Sequence, residues 1–227
     1  MLEDFQIAAY IRTSFLDWTG HVTATVFTPG CNFACPWCNN GELVTAKLPC
    51  LDDEKILQDI RQRKDFLDGV CISGGEPTLQ KALSKFLQEV KSMGLDAKLD
   101  TNGTHPDVLQ FLVANRLVDF VAMDIKAPLN EVQYSALVGR KITQDTIEKI
   151  KSSIAIVKKI PHEFRTTYVP FLHTIDDLKE IRGELGDPSW VIQCFKPLST
   201  LDKNLMTQPP AKSEDIAKYF PNVTVRG

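Results

Sequence analysis

Residues 69–103 read GVCISGGEPTLQKALSKFLQEVKSMGLDAKLDTNG. The run at 69–73 is short and apolar, as in a buried strand, and Gly74-Gly75-Glu76-Pro77 stops it. Residues 78–93 then put Leu79, Leu83, Phe86, Leu87 and Val90 on one helical face, and Gly94 supplies the C-terminal cap. A second strand at 95–100 ends in Thr101-Asn102-Gly103. Two strands joined through a helix run parallel, because the crossover returns the chain to the same edge of the sheet.

The same alternation extends in both directions. Upstream, HVTATVFT at 21–28 is a β-branched strand closed by Pro29-Gly30, and 52–66 is a helix with Ile56, Leu57, Ile60 and Phe66 at helical spacing. Downstream, helices are expected at 106–115, with Pro at the first turn, and at 143–159 and 174–185; strands are expected at 119–125, 163–169 and 190–195. Residues 128–140 read as a loop with room for a helical turn. A last helix at 213–219, capped by Ser213, precedes a short strand at 223–226. Six or so strand–helix alternations make an α/β fold with a parallel sheet, either doubly wound or an incomplete barrel. The 227 residues are slightly fewer than the ~250 of a complete eight-fold barrel. No linker, repeat or charge block divides the chain, so one domain over 1–227 is expected, with a core at about 19–196 and an extension at 197–227.

Composition narrows the function. A formal net charge of −3 weighs against a nucleic-acid partner. No apolar run approaches the ~20 residues of a membrane span, and the acidic start MLEDFQIAAYIRTSF does not read as a secretory signal. A cytoplasmic address is expected, where cysteines serve as ligands or buried thiols rather than disulfides.

Of six cysteines, three lie close together: Cys31, Cys35 and Cys38 form C-x3-C-x2-C just after the first strand. A structural zinc site normally closes with four ligands, and no second Cys or His pair completes one here. Three thiolates suit a four-iron cluster with one iron left open to a small molecule. The later strands end in polar groups: Gly74-Gly75-Glu76, Asp100-Thr101, Asp124 with Lys126, Arg165 and Gln193. In parallel α/β folds those carboxyl ends converge on the ligand site. Glycines at 74 and 75 let backbone approach a ligand closely, and Glu76 is a candidate acceptor for an ammonium. Cys71 and Cys194 read as core thiols, Cys50 as a loop thiol, and the four histidines show no ligand spacing.

These segments resemble the radical S-adenosylmethionine superfamily. GCNFACPWCNN matches its C-x3-C-x-Φ-C signature, with Trp37 as the aromatic Φ, and GGEP matches its methionine amino-group motif. TGHVTATVFTPGCNFACPWCNN, SGGEPTLQ, LDTNGTHP, DFVAMDIKAP and FRTTYVP, spanning residues 19–170, resemble the small activases of glycyl-radical enzymes. Among these, the anaerobic ribonucleoside-triphosphate reductase type is nearest and the pyruvate formate-lyase type next.

The resemblance implies a partial (β/α)6 TIM-like barrel and a radical enzyme with one [4Fe-4S] cluster on Cys31, Cys35 and Cys38. It implies S-adenosylmethionine bound by Trp37, Asn39, Gly74, Gly75, Glu76, Lys126 and Arg165, and a monovalent-cation site at Asp100, Thr101 and Asp124. The implied partners are a glycyl-radical enzyme and a flavodoxin- or ferredoxin-type electron donor. The alternative is a small-molecule enzyme like the 7-carboxy-7-deazaguanine synthases. One departure is Asn39-Asn40 where such activases carry His-Asn.

Overall fold

A computed structural model describes residues 5–46 and 48–227; the acidic opening at 1–4 lies outside them. Eight strands form one sheet in chain order: β1 (Ala9–Ser14), β2 (Thr23–Thr28), β3 (Gly69–Gly74), β4 (Asp96–Thr101), β5 (Phe120–Asp124), β6 (His162–Tyr168), β7 (Trp190–Cys194) and β8 (Thr224–Arg226). β1 runs antiparallel to β2, and every later neighbour is parallel. β1 and β8 are the outer strands, so the sheet is a partial barrel with an open side.

Eight helices accompany it among the described residues: α1 (Gly41–Val44), α2 (Asp53–Gln62), α3 (Leu83–Ser92), α4 (Pro106–Ala114), α5 (Glu131–Val138), α6 (Gln144–Val157), α7 (Ile175–Leu185) and α8 (Ser213–Ala217).

The pleat sorts the strands into two faces. Val26, Val70, Ile72, Ala97, Leu99, Val121 and Met123 are fully buried toward the helices, where Phe86, Leu87, Val90, Leu109, Leu112, Ile147 and Ile150 meet them. Each large side chain so buried contributes roughly 1.5–3 kcal/mol. The register puts Cys71 beside Lys98 and Asp124 beside Arg165, and the opposite face is polar. That face is the lumen.

Four local expectations change. β1 was not foreseen; it is a half-exposed edge strand tied to α2 by polar bonds, Tyr10 Oη donating to Asp59 (2.7 Å) and Arg63 to Tyr10 Oη (2.8 Å). The helix expected at 78–93 begins only at Leu83, because the Glu76 carboxylate accepts from the Thr78 N–H and starts one 3-10 turn at Pro77–Leu79, after which Gln80 is extended. Residues 131–138 form a full helix where a loop with a helical turn was expected, capped by the Asn130 side chain on the Gln133 N–H (2.9 Å) and ended by Gly139. Ser213 is the first residue of α8 and makes no side-chain cap. The extension after 197 adds a 3-10 turn, α8 and β8, which joins the same sheet.

Candidate active site

The cysteine loop follows β2 and is clamped from two sides. On one side the Gly75 N–H donates to Thr28 O (2.9 Å) and the Glu76 N–H to Gly30 O (2.8 Å). A Cβ at Gly75 would lie 1.9 Å from Gly30 O, so only glycine permits this approach. On the other side the Ala34 N–H donates to Val138 O (2.8 Å) at the end of α5. There Gly139 has φ +65°, and a Cβ on it would lie 2.4 Å from Ala34 O. The Asn32 side chain donates to Thr104 Oγ1 (2.8 Å) and accepts from Asn102 Nδ2 (2.7 Å).

So held, Cys31, Cys35 and Cys38 line one cavity of about 480 Å³. None of the three is in a disulfide. The Phe33 N–H points at Cys31 Sγ (3.4 Å). Burial pushes the Cys31 thiol up to about 11 and the Cys35 thiol to about 12, with the Lys126 ammonium opposing the rise in Cys35. Three soft donors on one wall, free of disulfides, fit an iron–sulfur cluster, whose irons supply the positive charge that buried thiolates lack.

The cavity also takes in Trp37, Asn39, Gly74, Gly75, Asp100, Thr101, Asp124, Lys126 and Arg165, so the residues singled out in sequence come together with one exception. Glu76 is the exception. It is fully buried, and its carboxylate accepts from the Thr78 N–H (3.1 Å) and hydroxyl (2.5 Å), the Thr101 hydroxyl (2.8 Å) and the Asn102 N–H (2.7 Å). Burial raises its pKa even against those bonds. Instead of facing an ammonium in the cavity, it braces the glycine turn against the Thr101-Asn102 turn. From this motif only the two glycines line the cavity.

The charged groups form a chain. Asp124 accepts from Lys126 Nζ (2.9 Å) through one oxygen and from Arg165 Nε (2.9 Å) through the other. Arg165 reaches on to Asp100 (3.4 Å), whose same oxygen accepts from Ser73 Oγ (3.1 Å). Burial would raise the Asp124 pKa, but Arg165 and Lys126 outweigh it and hold the carboxyl at about 2. The pairing likewise raises Lys126 and Arg165 against burial.

Three contributors were missed in sequence. His173 is 2% exposed; its Nδ1 accepts from the Val169 N–H (3.2 Å), so Nε2 carries the proton and donates to Lys126 O (2.9 Å). Burial lowers its pKa, in keeping with a neutral ring, and that ring stands edge-on to Trp37 at 5.2 Å. The Tyr134 hydroxyl accepts from the Lys126 N–H (3.2 Å). The Asn130 cap and apolar Tyr134, Leu137 and Val138 were the available signal for that helix; His173 had none. Lys98, from β4, lies 3.3 Å from Asp100.

The monovalent-cation set fits poorly. Asp100, Thr101 and Asp124 are together, but both Asp124 oxygens hold cationic side chains. The Thr101 hydroxyl donates to Glu76 and accepts from the Gly103 N–H (3.1 Å).

Comparison with known proteins agrees with this geometry. The family model of the radical SAM superfamily matches residues 25–185. A Methanocaldococcus jannaschii protein described as a glycyl-radical enzyme activating enzyme is 33% identical over 234 aligned positions, 97% of this chain and 95% of that protein. The 7-carboxy-7-deazaguanine synthase of Thermoplasma acidophilum is 30% identical over 109 residues, 47% of this chain and 48% of that one. Streptococcus suis SuiB bound to its precursor peptide SuiA shares the fold, with a TM-score of 0.63 at 13% identity over 89% of this chain; this chain spans 48% of that structure. With a cysteine-lined cavity in a partial barrel and a near full-length match, the chain belongs to the radical S-adenosylmethionine superfamily and, within it, to the glycyl-radical enzyme activating enzymes.

Proposed function

We propose that this protein cleaves S-adenosylmethionine reductively and passes the radical to a backbone glycine of a partner enzyme of the anaerobic ribonucleoside-triphosphate reductase class. The observation that carries the reading is one cavity, at the carboxyl ends of the strands of an unclosed barrel, lined by three disulfide-free thiols, a glycine turn and fixed positive charge. The near full-length likeness to an activating enzyme supports a protein substrate.

Cys31, Cys35 and Cys38 would hold a four-iron cluster. When bound, it supplies the electron that breaks the sulfonium C–S bond, leaving methionine and a 5′-deoxyadenosyl radical; a flavodoxin- or ferredoxin-type protein is the proposed source of that electron. The chain's own residues orient the substrate. Lys126 and Arg165 present positive charge to the methionine carboxylate, and Asp124 fixes both beforehand, which lowers the reorganisation cost. The Gly74-Gly75 backbone meets the amino group, and Trp37, steadied by His173, offers its ring to the adenine.

The test mixes reduced, reconstituted protein with S-adenosylmethionine and an anaerobic ribonucleotide reductase, without oxygen. A glycine-centred doublet by electron paramagnetic resonance is expected. The half-chain likeness to a 7-carboxy-7-deazaguanine synthase favours a second reading. Catalytic turnover of a small heterocycle with no glycyl signal would establish that reading instead.

A further inference from the structure

Lys98 is a lysine in an unusual place. It lies on β4 two residues before Asp100, so both side chains enter the lumen, yet it is only 4% exposed. Its ammonium donates to the Asp17 carbonyl and lies 3.3 Å from Asp100 Oδ1. That oxygen is buried and has no hydrogen-bond donor in its own right. Burying an ammonium is expensive unless a partner of opposite charge meets it. Here the partner is the carboxylate that also faces the cavity.

Lys98 therefore ends an alternating series: Lys98, Asp100, Arg165, Asp124, Lys126. Three cations oppose two carboxylates, so the series carries one net positive charge before any ligand arrives. A further metal cation would meet an ammonium or guanidinium group beside each carboxylate of the series. Every oxygen of Asp124 is taken, the Thr101 hydroxyl is taken, and the orphan Asp100 oxygen already faces an ammonium. The methionine carboxylate adds one negative charge beside these three cations; a sodium or potassium ion would add a further cation at the same place.

We propose that Lys98 is a built-in cation of the S-adenosylmethionine site, neutralising Asp100 from beneath so that the site needs no monovalent metal ion. Lys98 is a positioning residue, since it acts through Asp100 and does not line the cavity. The inference rests on the S-adenosylmethionine reading of the cavity.

The test measures S-adenosylmethionine affinity of the anaerobically reconstituted holoenzyme by calorimetry in sodium, potassium and tetramethylammonium chloride at equal ionic strength. Wild-type affinity is expected to agree within about twofold across the three salts. Lys98→Ala, which removes the charge and opens space beside Asp100, is expected to bind about tenfold more weakly in tetramethylammonium and to recover in sodium or potassium; tenfold corresponds to about 1.4 kcal/mol. Lys98→Met removes the charge but keeps the bulk, so its loss is expected to persist in every salt. A tenfold fall of wild-type affinity in tetramethylammonium overturns the proposal. So does a folded Lys98→Ala protein with wild-type affinity in all three salts. The wild-type series needs no variant, so a misfolded mutant leaves the proposal exposed to refutation. Failure of wild type to bind in any salt would instead count against the reading of the cavity.

Discussion

Asp124 uses both oxygens, one on Lys126 and one on Arg165, with its side chain 24% exposed. Its carboxyl sits at about 2 against an ordinary 3.8. A depressed acid contributes stability above its unfolded value and loses it as pH falls through the folded one. This contribution is therefore complete above about pH 4 and fades between pH 4 and 2; the shift corresponds to roughly 2 kcal/mol. Asp124→Asn leaves two cations facing each other and should cost about 3–5 kcal/mol at pH 7. Urea unfolding of the metal-free proteins at pH 7, 4 and 2.5 checks this: the gap between variant and wild type should narrow only below pH 4. Glu76 poses a different problem, since all four of its partners donate. Glu76→Gln puts an NH2 among donors and should cost about 1–3 kcal/mol. Iron content should stay at wild-type level while S-adenosylmethionine affinity falls as the glycine turn loosens; iron analysis and calorimetry on the same sample separate the two.

At the scale of elements, α5 matters through its last turn. The Val138 carbonyl fixes Ala34 inside the cysteine loop, and Gly139 turns away in the left-handed region with no room for a side chain. Gly139→Ala should push Ala34 outward, destabilise the metal-free protein by more than about 1 kcal/mol and lower iron per chain after reconstitution. Wild-type iron content in that variant would show that the loop is held elsewhere. In residues 128–140 only the Asn130 cap and apolar Tyr134, Leu137 and Val138 pointed to a helical turn; with little amphipathic pattern, the rest looked like loop. The parallel strands were legible because each is a β-branched or apolar run beside an amphipathic helix. β1 was not, because Ile11 and Arg12 on an edge strand are exposed and polar bonds to α2 replace an apolar face. The cavity residues were legible because they sit at strand ends, where topology alone brings them together. The direction in which Glu76 points was not legible, since it depends on hydrogen bonds from Thr101 and Asn102, 25 and 26 residues away. His173 was hidden for the same reason, its Lys126 carbonyl lying 47 residues away; Lys98 pairs with Asp100 inside β4, but its burial also depends on the Asp17 carbonyl, 81 residues away.

For the whole molecule, the decisive property is that the sheet stays open. β8 pairs with β7 alone, and Arg226 on it reaches back to Glu163 on β6 (3.0 Å), so the last strand closes one wall of the cavity without meeting β1. Beside that wall Leu198 lines the cavity mouth and is 75% exposed. A radical cavity has to exclude water, and a side chain this exposed does little of that in the free protein. If the substrate is a polypeptide, the partner supplies the missing wall and covers Leu198 when its glycine loop arrives. Leu198→Asp then leaves the cluster and the cofactor contacts intact, because nothing in the charge series touches it. It places a carboxylate where the partner must desolvate the surface. The expected result is unchanged iron content, S-adenosylmethionine affinity within about twofold, and a glycyl-radical yield lower by about tenfold or more, the loss of one well-buried interface anchor. Spin quantitation after a fixed interval with a glycyl-radical enzyme, together with calorimetry, makes the measurement. An unchanged spin yield would mean that the partner approaches over another part of the rim, and an equal fall in cofactor affinity would mean that Leu198 belongs to the cofactor site instead.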